Sequence, residues 1–146
     1  MFNRAKELDP TTLTFVNDYN IITWTPGEVA NYKSQIIDLI SAGAMIDGIG
    51  VQGHFGNTVD PLSVKLQLDS LATLGLPIVI TEYDSDTTDV QARADNLEAL
   101  YRIGFAHPAV EGVSSVLCLL YYLVRTGNLI SCCNLIADSY VGLLGR

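Results

Sequence analysis

Residues 76–84 read LPIVITEYD, an apolar run that ends on two carboxylates, Glu82 and Asp84, with one residue between them. Isoleucine, valine and isoleucine follow one another at positions 78–80 instead of alternating with polar residues. A strand written this way is covered on both faces, as the strands of parallel sheets are. A carboxylate just beyond such a strand is ordinarily a solvated loop residue or the cap of the next helix. The two acids therefore carry meaning only if other polar groups gather beside them.

Three more apolar runs occur in the chain: residues 13–16 (LTFV), closed by NDYN; residues 46–51 (IDGIGV), closed by QGHFGN; and VEGVSSV from Val110. Capped amphipathic segments separate them. Thr25-Pro26-Gly27-Glu28 has the form of a capping box with proline in the first turn, and Val29, Tyr32, Ile36, Leu39 and Ile40 follow as an apolar stripe that Gly43 ends. Asp60-Pro61 starts the next helix, with Val64, Leu68 and Leu71 inward and Gly75 as its stop. Thr88 and Gln91 form a further capping box, predicting a helix that turns Val90, Ala94, Leu97 and Tyr101 inward and ends at His107-Pro108. Strand starts near Thr14, Gly48, Ile78 and Val110 are about thirty residues apart, the length of one βα unit with its crossover. The pattern βαβαβαβ predicts parallel strands with helices on the outer face. Two architectures fit, an open doubly wound sheet or part of a (β/α)8 barrel. The first would be helped by a glycine-rich phosphate turn after the first strand, and NDYNIITWTPGE has none.

With 146 residues, 49% of them hydrophobic and 16% charged, the composition is that of a globular protein. A net charge of −8 argues against binding nucleic acid or an anionic membrane surface, both of which need clustered Lys and Arg. The first twenty residues show no signal peptide. The longest apolar stretch, residues 113–124, is too short to span a bilayer and is stopped by Arg125. Cys118, Cys132 and Cys133 are an odd count crowded into one corner, so they make no disulfide framework, and nothing has metal-ligand spacing. Neither a metal nor a cofactor is expected.

Polar residues cluster after each of the first three runs: Asn17, Asp18, Tyr19 and Asn20; then Gln52 and His54; then Glu82 and Asp84. In a barrel those carboxyl ends converge on one face, where catalytic groups are found. Gln52 and His54 are two residues apart, as are Glu82 and Asp84, so each pair is expected on one side of its strand. An imidazole beside two carboxylates orients them, and in its charged form keeps the nearer one ionised.

FVNDYN, IDGIGVQGHF, LPIVITEYD and ADNLEALYRIGFAHPAVEGV together resemble the carboxy-terminal half of family 10 glycoside hydrolases, the endo-1,4-β-xylanases, over residues 1–113. The resemblance implies a partial (β/α)8 barrel and retaining hydrolysis of xylan or its oligosaccharides, in an extracellular setting. It implies that Glu82 is the nucleophile, His54 and Asp84 its supports, and Gln52, Tyr19, Asn20 and Asn17 sugar-contacting residues. It also implies that the acid/base carboxylate is absent from this chain, since the strand ending in Asn-Glu would precede Met1. Residues 114–146 diverge from the family, where a Trp-Gly-Phe-Trp strand would follow, and form an apolar tail with a helix expected over residues 117–124. On this reading the isolated chain is inactive, or an inert or carbohydrate-binding product of an altered transcript, and it self-associates through exposed sheet edges.

Overall fold

Helix ends in this chain are set by side chains that satisfy backbone groups a helix leaves unpaired. Asp60 accepts from the Leu62 N–H at 3.1 Å with Pro61 in the first turn, and Asp89 accepts from the Gln91 and Ala92 N–H groups at 2.8 and 3.1 Å. Gly43 and Gly75 follow two of the helices with φ of +84° and +72°, the left-handed turn that residues with a Cβ rarely adopt. The computed structural model describes residues 1–23, 26–56 and 58–115. Its elements in order are α1 (Phe2–Leu8), β1 (Phe15–Asp18), α2 (Pro26–Ser41), β2 (Gly48–Phe55), α3 (Pro61–Ala72), β3 (Ile78–Ser85), α4 (Val90–Ala106) and β4 (Val110–Ser115).

The four strands form one parallel sheet in the order β1-β2-β3-β4. Each crossover therefore steps in the same direction, and because such crossovers are right-handed, α2, α3 and α4 all fall on one face. α2 packs on α3 and α3 on α4 accordingly. A doubly wound sheet would reverse its strand order and carry helices on both faces; this one does neither. Between sheet and helices lies one core, with Ile36, Ile49, Val51, Val64, Leu68, Leu71, Ile78, Ile80 and Leu100 all fully or almost fully buried.

The structure moves several sequence expectations. β1 starts at Phe15, one residue after the expected Thr14, which is engaged at the sheet's lower edge: its N–H donates to Asp47 Oδ2, and its hydroxyl hydrogen is shared between the Met45 carbonyl at 2.6 Å and Asp47 Oδ2 at 3.0 Å. Lys6 of α1 closes this node at 2.7 Å from the same Asp47 oxygen. On α2, Val29, Tyr32 and Ile36 are buried as expected, but Ile40 is exposed and Leu39 only half-buried, the helix having a described helical neighbour on one side only.

The larger correction concerns α4. Val90, Ala94 and Leu97 are exposed and Tyr101 is half-buried; the buried face is Asn96, Leu100 and Gly104, with Ala99 and Ile103 beside it. Asp89, not Thr88, is the N-cap. Gly104 explains the rotation, since a Cβ there would come within 2.7 Å of Val113 Cγ2, so the helix lies on β4 at a distance no larger residue would allow. The Thr25 cap, the expected tail helix and the three cysteines lie outside the described residues.

Because the faces of α4 are assigned by burial and not by hydrophobicity, two leucines three residues apart should respond differently. Leu100→Ala should cost about 2–5 kcal/mol by urea denaturation, as a fully buried leucine does, and Leu97→Ala only a small fraction of that.

Candidate active site

The sheet's inner face is read from β2, where Gly48, Gly50, Gln52 and His54 alternate with Ile49, Val51, Gly53 and Phe55. Ile49, Val51 and Phe55 belong to the helix-covered core, so Gln52 and His54 face the other way. A Cβ at Gly50 would sit 2.7 Å from Asn17 Oδ1, and one at Gly48 within 2.7 Å of three Phe15 ring atoms. The bare inner face of β2 is thus the room into which the β1 side chains Phe15 and Asn17 lean. Tyr32 ties the same strands from behind: its hydroxyl lies 2.9 Å from both the Val16 and Gly50 carbonyl oxygens, its one hydrogen shared between them. Burial first, and the Asp18 charge second, push this phenol's pKa up, so it stays a donor.

On β3 simple alternation would fail to build a site. Ile78 and Ile80 point into the core, so strict period two would bury Glu82 and Asp84 under the helices. The register shows what prevents it: Gln52 pairs with Thr81 and His54 with Asp84, so two steps along β2 match three along β3. The extra residue is a β-bulge, and Glu82 occupies it with φ of +56°. Tyr83 then takes the core-facing position, 3% exposed, its ring centroid 6.3 Å from that of Phe55. Asp84 returns to the inner face opposite His54. The expectation that Glu82 and Asp84 share a side holds, and the bulge decides that this side is the inner face and not the core.

His54 reaches both acids, with Nε2 at 3.3 Å from Glu82 Oε2 and Nδ1 at 3.0 Å from Asp84 Oδ1. Both ring nitrogens face acceptors, an arrangement that favours the doubly protonated imidazolium. Burial lowers the imidazole's pKa, but the hydrogen bonds and charges of Asp84, and then of Glu82, outweigh it and hold the pKa above its ordinary 6.5. The other Glu82 oxygen, Oε1, lies 3.5 Å from Asn17 Nδ2, at the outer limit of a hydrogen bond. Thr81 donates its hydroxyl to Asn17 Oδ1 at 3.0 Å and so turns the amide's N–H toward Glu82. Glu82 remains 43% exposed. An oriented, accessible carboxylate flanked by a cation can attack an electrophilic carbon or take a proton.

Asn17, His54, Glu82 and Asp84 are therefore brought together, and Gln52 stands on the same face at the register position of Thr81. Tyr19 and Asn20 are not part of that cluster. β1 ends at Asp18, Asn20 turns the chain with φ of +61°, and both residues border a separate open cleft of about 550 Å³ with Asp18, Glu28, Asn31 and Gln35. Thr81 and Tyr32 were missed from sequence, although a threonine beside Glu82 in an otherwise apolar run was a visible signal. Among the described residues, no three His, Cys, Asp or Glu side chains converge as a metal site.

Residues 1–115 match the model of glycosyl hydrolase family 10. The chain is 52% identical over 113 residues to the anti-sigma-I factor RsgI6 of Acetivibrio thermocellus, a match covering 77% of this chain and 14% of that protein. It is 44% identical over 115 residues to endo-1,4-beta-xylanase 1 of Arabidopsis thaliana, covering 77% of this chain and 12% of that one. It superposes on xylanase 10B from Thermotoga petrophila RKU-1, solved in complex with xylobiose, with a TM-score of 0.69 and 28% identity, over 78% of this chain and 37% of that chain. The chain thus spans well under half the length of each of these relatives.

The raised pKa of His54 links the cluster to stability with a definite sign. A charged histidine favoured by the fold contributes fully below its unfolded value near 6.5, and the contribution is lost as pH rises through the folded pKa. Thermal unfolding of the chain and of His54→Asn should therefore differ most near pH 6 and converge above the folded pKa. A gap that widens with rising pH would contradict the charge assignment.

Proposed function

This chain belongs to glycosyl hydrolase family 10, its parallel sheet corresponding to the carboxy-terminal part of that family's (β/α)8 barrel, and from this premise we propose that it carries the nucleophile side of a retaining endo-1,4-β-xylanase site. The observation that carries the reading is the left-handed bulge that brings Glu82 out of the core and sets it between Asn17 and His54. In the first step a Glu82 oxygen attacks the anomeric carbon of a xylosyl unit, the bond to the leaving oxygen breaks, and a glycosyl-enzyme ester forms that water then hydrolyses. The His54 cation aims the Glu82 carboxylate, and Asp84, on the imidazole's far nitrogen, keeps His54 charged and in place. Asn17 and Gln52, on the same face, suit hydrogen bonds to sugar hydroxyls, and Tyr19 and Asn20 offer further sugar contacts from the neighbouring cleft.

Retention needs a second carboxyl group roughly 5–5.5 Å from the nucleophile, on the other side of the scissile bond. Asp84 does not fill that role, because it is bound to the same imidazole and approaches the sugar from the nucleophile's own side. The acid/base group in this proposal comes from a strand of the barrel beyond β1. The substrate is xylan or its oligosaccharides, met outside the cell, and the outer edges of β1 and β4, which pair with no further strand among the described residues, favour self-association. A non-catalytic, carbohydrate-binding role is the second reading; one relative carries an anti-sigma name in place of a hydrolase name, which leaves room for a non-catalytic use of this sequence.

The 146-residue chain alone should release no sugar from xylan. Adding a complementary polypeptide that carries the acid/base carboxylate should restore hydrolysis, since general acid catalysis contributes on the order of 10²–10⁴-fold, and Glu82→Ala should abolish the restored activity. Restored activity that survives Glu82→Ala would remove Glu82 from its role. Xylan binding without hydrolysis in the complemented protein would favour the second reading.

A further inference from the structure

Asn96 lies in α4 at 2% exposure, on a face otherwise made by Leu100 and Gly104. A carboxamide is stable there only if its atoms find partners. Its Oδ1 accepts from the Val59 N–H at 2.9 Å, and its Nδ2 donates to Ser85 Oγ at 2.9 Å. These partners sit on different segments. Ser85 ends β3 and directly follows Asp84, and Val59 lies on the connection that leaves β2 after His54 and Phe55. Phe55 is in turn the register partner of Ser85, and its carbonyl accepts from the Asp86 N–H at 2.9 Å. One buried side chain thus grips, from behind the sheet, the chain just past both His54 and Asp84.

The bulge gives that grip a purpose. The ladder between β2 and β3 is irregular between Gln52 and His54, and that between β3 and β4 shifts between Ile80 and Tyr83. Side-chain ties stand where ladder pairing is interrupted: Ser115 Oγ donates to the Tyr83 carbonyl at 3.1 Å, and Asn96 holds Ser85. We propose that Asn96 is a positioning residue for the Glu82, His54 and Asp84 cluster, fixing through Ser85 and Val59 the separation of the two strand ends that carry it. The inference deepens the functional reading above, and rests on it for Glu82 as the reactive carboxylate. Asn96 itself is covered by the protein and acts through Ser85 and Val59.

The test is the NMR titration of His54 in the 146-residue chain, with the second histidine of the sequence, His107, as the internal reference. His107 is buried at the end of α4, where its Nε2 lies 3.2 Å from Asp69 Oδ1, so it reports on the rest of the fold. Ser85→Ala cuts one tie; Asn96→Leu cuts both. In each variant the His54 midpoint should move down toward 6.5, because Asp84 and Glu82 no longer hold the imidazole as closely, and the His107 midpoint should stay where it is. If Asn96→Leu does not fold, Ser85→Ala decides alone. An unchanged His54 midpoint in folded Ser85→Ala overturns the proposal, as does a parallel shift of both histidines, which would mean general loosening. Failure of the functional reading would appear separately, as absence of Glu82-dependent hydrolysis after complementation, with the His54 midpoint still dependent on Ser85.

Discussion

A left-handed backbone at one glutamate governs the upper end of this sheet. Glu82 at φ of +56° is a conformation that costs on the order of 1–3 kcal/mol in a residue with a Cβ, and it persists because its surroundings over-determine it. Tyr83 is buried as a direct result, Asp84 returns to the inner face, and His54 finds a carboxylate on each ring nitrogen. Without the inserted residue, the acids would point into a core of isoleucines and leucines, where ionised groups lacking partners are not tolerated. The strain and the site are thus the same feature.

The two ends of the sheet are built on different terms. At the amino ends of the strands, polar groups are saturated by one another: Lys6 and Thr14 meet on Asp47, and the buried His107 meets Asp69, which Lys65 also holds. His107 also accepts from the Ala109 N–H at 3.2 Å, so its polar atoms are engaged locally. At the carboxyl ends, Glu82, His54 and Asp84 remain more than a third exposed despite their mutual contacts, and Asn17 is exposed beside them. Saturated polar pairs fix helices to the sheet, and partly open ones are free to meet a substrate.

Much of the architecture could be read from the residues because its signals are local. Asp60-Pro61, Gly43 and Gly75 mark boundaries by chemistry that does not depend on the rest of the fold, and the consecutive apolar residues 78–80 announce a strand covered on both faces. The strand-end positions point to one face, and Asn17, His54, Glu82 and Asp84 lie within contact of one another there. What escaped was whatever needed a third dimension. Counting residues put Glu82 and Asp84 on one side without revealing that a bulge, not period two, decides which side. Hydrophobicity assigned α4 the wrong face because two of its three buried positions are an asparagine and a glycine, one kept for its hydrogen bonds and the other for its lack of a side chain. The NDYN cluster reads as a unit, yet Asn17 meets Glu82 and Thr81 while Asp18, Tyr19 and Asn20 border a neighbouring cleft.

The strand order has a bearing on how the chain is made. Among the described residues every strand pairs only with its neighbours in sequence, so no pairing there spans more than about one βα unit. Closing so short a segment carries a modest entropic cost, and no early strand waits for a late one to find its place. As the polypeptide leaves the ribosome, β2 can dock on β1 before β4 has been synthesised, and the sheet can grow by accretion from its amino end. The acidic cluster, which draws on the first three strands, is complete before the last one is added.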